Sequence, residues 1–342
     1  MRNPDFSQML KVMNRQEPDR PVLYELFMNM PLYELINGEK LPKAAGDVER
    51  LAFVARAFAG MGYDYSSAHA SSFGFPHKER ASLKTLSLNE GFVITDERSY
   101  EEYEWMEPAD VDTGMLAEVG KLLPEGMKVK VMGPGGVLEN VIGLTGYDNL
   151  CFMMYENPKL VRQLFDDVGS RLVKYYELAL QHECVGMVSS NDDWGFNTQT
   201  FLTPAQMRQY VIPWHKAIVN TCHKADRPVL LHSCGNMRDV IDDVIAIGFD
   251  AKHSYEDNIM PVEEAYEAWH DRITLLGGID VDFICTKSVE EVSARCHAML
   301  ERVKGRGGYA LGTGNSVPEY IPLPQFMALI EAATGENPLK GK

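Results

Sequence analysis

At positions 228–236 the chain reads PVLLHSCGN. Val229, Leu230 and Leu231 form a short apolar run opened by Pro228 and closed by Gly235, so the stretch predicts a buried strand. His232, Ser233 and Cys234 fall where that strand runs out, which is where α/β proteins place their chemistry. An imidazole and a thiol two residues apart are half of a zinc site, because Zn2+ favours nitrogen and sulfur donors. The same pair also fits a backbone-bonded histidine beside a small apolar cysteine, and these residues alone leave both readings open.

Outward from this stretch the pattern repeats. Apolar runs at 22–25, 63–69, 128–132, 186–190, 229–232, 250–254, 273–277 and 309–312 alternate with helically periodic segments at 47–59, 113–122, 157–182, 203–222, 236–247, 262–270, 288–303 and 324–334. In 203–222, Met207, Tyr210, Val211, Trp214, Ile218 and Val219 keep three-and-four spacing, and 288–303 opens on a Ser288 cap followed by Glu290 and Glu291. Eight strands, each followed by a helix, predict an α/β fold of the (β/α)8 TIM-barrel type rather than a doubly wound sheet. A helix at 5–14 precedes the first strand. The stretch 90–106 alternates polar with apolar residues on both sides of 96–98 and predicts an inserted antiparallel β-hairpin. With no linker, repeat or low-complexity tract, residues 1–342 are expected to form a single domain.

Composition narrows the function. The chain of 342 residues is 45 % hydrophobic and 24 % charged, as in ordinary soluble proteins, and has no apolar run long enough for a membrane span. Its opening, MRNPDFSQML, lacks a secretory apolar core, so a cytoplasmic location is expected. The six cysteines are then reduced, and without a CxxC pair they serve metal binding or packing. A net charge of −16 argues against nucleic-acid binding, which needs cations to neutralise phosphates.

In a barrel the carboxyl ends of the strands converge on the active site, so the strand register doubles as a list of candidates. Asp192, Asp193 and Asp280 are candidate catalytic acids; the adjacent pair could instead cap the next helix, orient a histidine or hold a metal. Glu25, Trp194, Tyr255 and Asn315 are candidate substrate-binding residues. His253 and Glu256, at the end of the strand after PVLLH, are candidate partners of His232 and Cys234 on a metal, with His253 equally readable as a loop histidine. GPGG at 133–136 is either a phosphate cradle or, more simply, a tight turn.

Taken together, EPDRPVLYE at 17–25, DDWGFNTQTFLTPAQMRQYVIPWHK at 192–216, RPVLLHSCGN at 227–236, GFDAKHSYED at 248–257, LLGGID at 275–280 and GTGNSVPEYIP at 312–322 resemble the uroporphyrinogen decarboxylase superfamily, nearly end to end. The resemblance implies a single (β/α)8 barrel. True decarboxylases of that superfamily carry an arginine-rich segment after the first strand, whereas LFMNMPLYELINGEK at 26–40 has no arginine for an acidic porphyrinogen. The other branch, the corrinoid-dependent methyltransferases, holds zinc with a His-x-Cys at the fifth strand, matched by His232 and Cys234, and a cysteine near the eighth, where this chain has Thr313. The resemblance therefore implies a zinc-assisted methyltransferase acting between a small methyl donor, an aryl methyl ether among the options, and a cobalamin-type corrinoid on a separate protein. The alternatives are a metal-free decarboxylase and a barrel kept only for binding. A monomer is expected, or a homodimer that leaves the barrel mouth open to the corrinoid protein.

Overall fold

Strands buried on both faces, as Val229–His232 is, have no side to show to water, and such strands pair in parallel beneath a layer of helices. The computed structural model describes residues 2–78 and 87–340. In it β1 (Tyr65–His69), β2 (Lys128–Met132), β3 (Val185–Asn191), β4 (Val229–His232), β5 (Ala251–His253), β6 (Thr274–Leu276) and β7 (Tyr309–Ala310) form one curled parallel sheet in chain order. Val131, Val188, Leu230 and Leu276, on four of these strands, are completely buried.

The expected first strand departs from this pattern. Residues 22–25 make one parallel bridge, Leu23 to Leu311, with Tyr24 N–H donating to the Leu311 carbonyl and Leu311 N–H to that of Val22. Toward β1 the same segment is held by side chains. The Tyr65 hydroxyl accepts from Glu25 N–H at 2.7 Å and contacts the Glu25 carbonyl at 2.6 Å, and Ser67 Oγ donates to the Leu26 carbonyl at 2.8 Å. Lys130 Nζ donates to the carbonyls of Glu25 and Leu26 at 2.8 and 2.9 Å. These side chains take the backbone groups that an eighth ladder needs. The fold is therefore TIM-barrel-like, with seven laddered strands among the described residues and a bridged segment in place of the eighth.

The predicted hairpin at 90–106 is corrected. Asp96 accepts from Ser99 N–H at 2.8 Å while Ser99 Oγ accepts from Asp96 N–H at 3.0 Å, a reciprocal cap that starts the helix Glu97–Glu101. Val93 and Ile94 N–H both turn to the Leu144 carbonyl instead of to an opposite arm. A local capping signal overrides the two-residue alternation. The periodic segment 203–222 is likewise not one regular helix: a π-helical turn, Met207–Val211, precedes Ile212–Lys224, where Pro213 supplies no N–H.

Register positions the site. Asn191 pairs with His232 and His232 with His253, so the carboxyl ends of β3, β4 and β5 stand level. The opposite end is closed by the helix Phe6–Met13, whose Phe6 N–H donates to the Gly126 carbonyl ahead of β2. Among the described residues no helix is long and apolar enough to cross a membrane.

Candidate metal centre

Because Asn191 and His232 are paired, the residues two positions beyond each, Asp193 and Cys234, emerge together. Cys234 N–H donates to Asp193 Oδ1 at 2.8 Å and fixes that carboxylate. His232 Nε2 lies 3.9 Å from Cys234 Sγ and 4.0 Å from Asp193 Oδ1, and the three donor atoms are all within 4.8 Å of one another. A tetrahedral zinc ion with bonds of about 2.0–2.3 Å needs a nitrogen–sulfur edge of roughly 3.5 Å and a nitrogen–oxygen edge of roughly 3.4 Å, so the His232–Cys234 edge must shorten by a few tenths of an ångström and the His232–Asp193 edge by about 0.6 Å. One nitrogen, one sulfur and one carboxylate oxygen suit Zn2+, and three protein donors leave a fourth corner for a reactant. All three side chains line a cavity of about 540 Å3, together with Leu26, Phe27, Met132, Glu139 and Asn315.

The ring behind His232 decides which of its nitrogens is available. His232 Nδ1 is 2.8 Å from His253 Nδ1, and His253 Nε2 is 3.1 Å from the Thr313 carbonyl oxygen. A carbonyl only accepts, so His253 carries its hydrogen on Nε2 and a lone pair on Nδ1. His232 then donates from Nδ1, which leaves its Nε2 lone pair toward Cys234 and Asp193. Burial pushes His232 down to about 3 and His253 well below the usual imidazole range, so both rings are neutral near pH 7, as this pattern requires. Burial also pushes the Cys234 thiol up to about 12, while Ser254 Oγ at 3.5 Å and Asn315 Nδ2 at 3.4 Å are placed as donors to the sulfur. Ser254 adopts φ +100°, a strained value for a side-chain-bearing residue.

The other sequence candidates are placed differently. Asp192 is fully buried and accepts from Leu138 N–H, Glu139 N–H and Trp194 Nε1–H at 2.9–3.0 Å, with His215 Nε2 at 2.8 Å. It caps the helix Val137–Thr145 and is not among the residues that line the cavity. Within GPGG, Gly136 owes its bareness to this residue, since a Cβ there would lie 2.1 Å from that of Asp192. The helix N-terminus that could have bound a phosphate already holds the chain's own carboxylate. Trp194, which grips Asp192, is itself fully buried. His253 has both nitrogens engaged and stands behind His232, not among the donors. Asp280 caps Val281–Thr286 through Phe283 N–H at 3.0 Å and also accepts from Asp257 N–H at 2.8 Å. With Tyr255 and Glu256 it lines a second cavity of about 690 Å3 that shares Asn315 with the first. Glu25 is completely buried against Thr313.

Two residues at the site, Glu139 and Lys252, escaped the sequence reading, and a third, Thr313, was noted only as standing in place of a cysteine. Glu139 lines the 540 Å3 cavity, its carboxyl held above the usual range by burial and by the carboxylates of Asp193 and Asp192. Its position three residues after Gly136, where a helix opens, was the available signal. Lys252 is buried beside Ser254, to whose carbonyl its Nζ donates at 2.5 Å, and burial lowers it to about 8. A lysine inside an apolar strand was its signal. Thr313 stands where a ligand was expected and instead faces inward.

Residues 95–335, more than half of the chain, match the family model described as uroporphyrinogen decarboxylase (URO-D). Among solved structures, a methyltransferase from Methanosarcina mazei is similar with a TM-score of 0.70 and 16 % identity, over 98 % of this chain and 99 % of that one. An intracellular xylanase from Thermoanaerobacterium saccharolyticum JW/SL-YS485 aligns with a TM-score of 0.42 and 10 % identity, over 90 % of this chain and 100 % of that one. No curated protein matches by sequence. At 16 % identity the first similarity speaks for the fold, and it agrees with the curled parallel sheet. On the family match, the chain belongs to the uroporphyrinogen decarboxylase family.

Proposed function

We propose that this protein is a methyltransferase that moves a methyl group between a small donor, such as an aryl methyl ether, and a corrinoid carried by a separate protein, with zinc held by Asp193, His232 and Cys234. The observation that carries this reading is the facing of one nitrogen, one sulfur and one carboxylate oxygen within 4.8 Å on the wall of a cavity large enough for a small reactant. The fold likeness to a methyltransferase from Methanosarcina mazei supports it. Bound zinc would supply Lewis acidity, lowering the basicity of the oxygen that must leave.

The chain's own residues do the rest. His253 keeps the His232 Nε2 lone pair aimed at the site, and the Cys234 amide keeps Asp193 Oδ1 in place. Leu26, Phe27 and Met132 offer an apolar wall for the donor's body. As the methyl group departs, the electron pair of the O–CH3 bond stays on oxygen, and Glu139, whose surroundings favour its protonated form, can pass a proton to that oxygen. Asp193 and Glu139 thus act as ligand and acid from adjacent elements. Decarboxylation of a polycarboxylate fits less well, because the described residues that line this cavity include no Arg or Lys.

The test is transfer from an aryl methyl ether to a reduced free corrinoid, followed by visible absorption. Zinc-loaded wild type is expected to transfer, and His232→Ala or Cys234→Ala to lose both zinc and transfer while keeping its circular dichroism spectrum. Full activity in a metal-free Cys234→Ala protein would overturn the zinc reading and favour the metal-free decarboxylase.

A further inference from the structure

We propose that Thr313, held by Glu25, is a positioning residue that sets the orientation of both the nitrogen and the sulfur ligand of the metal centre. The inference deepens the zinc reading above and rests on it. Thr313 is completely buried and bridged to Ile279, and each of its three polar groups points to a different part of the site. Its carbonyl accepts from Gly278 N–H at 2.9 Å and His253 Nε2–H at 3.1 Å, the bond that fixes the tautomers of His253 and His232. Gly277 must be bare for this approach, since a Cβ there would sit 2.2 Å from the Thr313 oxygen and 3.0 Å from the His253 ring. The hydroxyl lies 2.7 Å from the Asn315 carbonyl, and Asn315 turns Nδ2 to Cys234 Sγ because its Oδ1 accepts from Ser316 N–H at 2.8 Å. The N–H donates to Glu25 Oε1 at 2.8 Å.

The protonation of Glu25 follows from counting hydrogens. Thr313 Oγ1 is 2.6 Å from Glu25 Oε2 as well as 2.7 Å from the Asn315 carbonyl, yet a hydroxyl has one hydrogen to give. Both contacts are hydrogen bonds at once if Glu25 donates from Oε2 to Thr313 Oγ1 and Thr313 donates to Asn315. Lys130 Nζ donates to the backbone carbonyls of Glu25 and Leu26, at 2.8 and 2.9 Å, and not to the Glu25 carboxyl oxygens. Burial pushes the Glu25 carboxyl up to about 8, in the same sense. A neutral Glu25 therefore anchors Thr313, which aligns His253 with His232 on one side and Asn315 with Cys234 on the other.

The experiment compares wild type with Thr313→Val, Thr313→Ser, Glu25→Leu and Glu25→Gln. It reads zinc affinity by competition with a chromophoric chelator, and histidine tautomers by long-range 1H–15N correlation spectra of the metal-free, 15N-His-labelled chain. Thr313→Val and Glu25→Leu are expected to lose about 10–100-fold in zinc affinity, the usual cost of disturbing groups that orient ligands. Thr313→Ser keeps the hydroxyl, and Glu25→Gln offers an amide N–H to Thr313 Oγ1 as the protonated acid does, so both stay within about threefold of wild type on the same scale. In wild type and Glu25→Gln, His232 is the Nδ1–H and His253 the Nε2–H tautomer; in Glu25→Leu each becomes a mixture. If the apolar variants fail to fold, the two conservative ones still decide, because an ionised Glu25 makes Glu25→Gln as damaging as a misfold. Unchanged affinity and tautomers in Thr313→Val and Glu25→Leu, or a large loss in Glu25→Gln, overturn the proposal. Wild type that takes up no zinc sinks the metal reading itself, and the tautomers then decide the positioning role alone.

Discussion

Two cavities share Asn315 at the carboxyl end of the sheet, and they differ in what their polar atoms are already doing. The larger, about 690 Å3, is lined by Glu256, Asp257, Asp280 and Asp282. Asp257 is held by Arg295 at 2.6 and 2.8 Å, and Asp280 accepts two backbone N–H groups. The smaller, about 540 Å3, has fewer acids, yet its Asp193, His232 and Cys234 turn a carboxylate, a lone-pair nitrogen and a sulfur toward one another. Volume and the number of carboxylates alone would single out the larger cavity. What sets the smaller cavity apart is that a nitrogen, a sulfur and a carboxylate oxygen face one another within 4.8 Å, a donor set that suits zinc.

The widest separation between the two regions is expected in metal affinity. His232→Ala and Cys234→Ala should each weaken zinc binding by more than about 100-fold, beyond what changes in orienting groups cost. Asp280→Asn and Glu256→Gln should stay within about threefold in the same competition titration, below that range. A comparable loss at Asp280 would place the ion in the larger cavity.

Next in size is Asp192, adjacent in sequence to Asp193 and opposite in role. Asp192→Ala strands buried donors from Leu138, Glu139 and Trp194, so urea unfolding should show a loss of about 3–5 kcal/mol. A loss below about 1 kcal/mol would mean that the carboxylate is not the cap of the helix Val137–Thr145.

These neighbours show how far the sequence could be read. PVLLHSCGN carried both the strand and two of the three donors, because a run ended by glycine fixes where the last side chains stand. Asp193 was legible as an acid at a strand end but not separable from Asp192, since the choice between cap and ligand depends on the helix that packs over β3. His253 was a fair candidate by residue type; only the register pairing it with His232 shows that its nitrogens meet a ring and a carbonyl rather than a metal. Glu139 and Thr313 depended on contacts between elements far apart in the chain, where sequence offers no spacing to read. The first strand was misjudged for a similar reason: Tyr65, Ser67 and Lys130 compete for its backbone from other strands.

A smaller effect concerns pH. Glu25 has an ordinary value of 4.5 and is raised by burial to about 8, so between these values the folded chain holds a proton that the unfolded chain has lost. Its contribution to stability is whole below about pH 4.5 and declines as pH rises toward 8, by at most about 1.4 kcal/mol per pH unit. The lowered values of His232 and His253 act oppositely, adding stability as pH rises toward 6.5, where their unfolded rings lose protons. Unfolding free energies of wild type minus Glu25→Gln, measured from pH 5 to 8, isolate the glutamate and should fall with pH; a flat difference means that Glu25 is already ionised. Smallest of all, Glu256→Gln, at a partly buried site in the larger cavity, should change stability by less than about 0.5 kcal/mol in the same assay.

The most direct measurement is the absorption spectrum of the cobalt(II)-substituted chain. If Asp193, His232 and Cys234 hold the ion, the wild type takes up one equivalent and shows an intense near-ultraviolet sulfur-to-cobalt charge-transfer band with visible bands of tetrahedral strength. Cys234→Ser then loses the sulfur band, and Asp280→Asn retains it. Uptake with no sulfur band in the wild type, or a band that survives Cys234→Ser, would contradict the assignment of the metal centre.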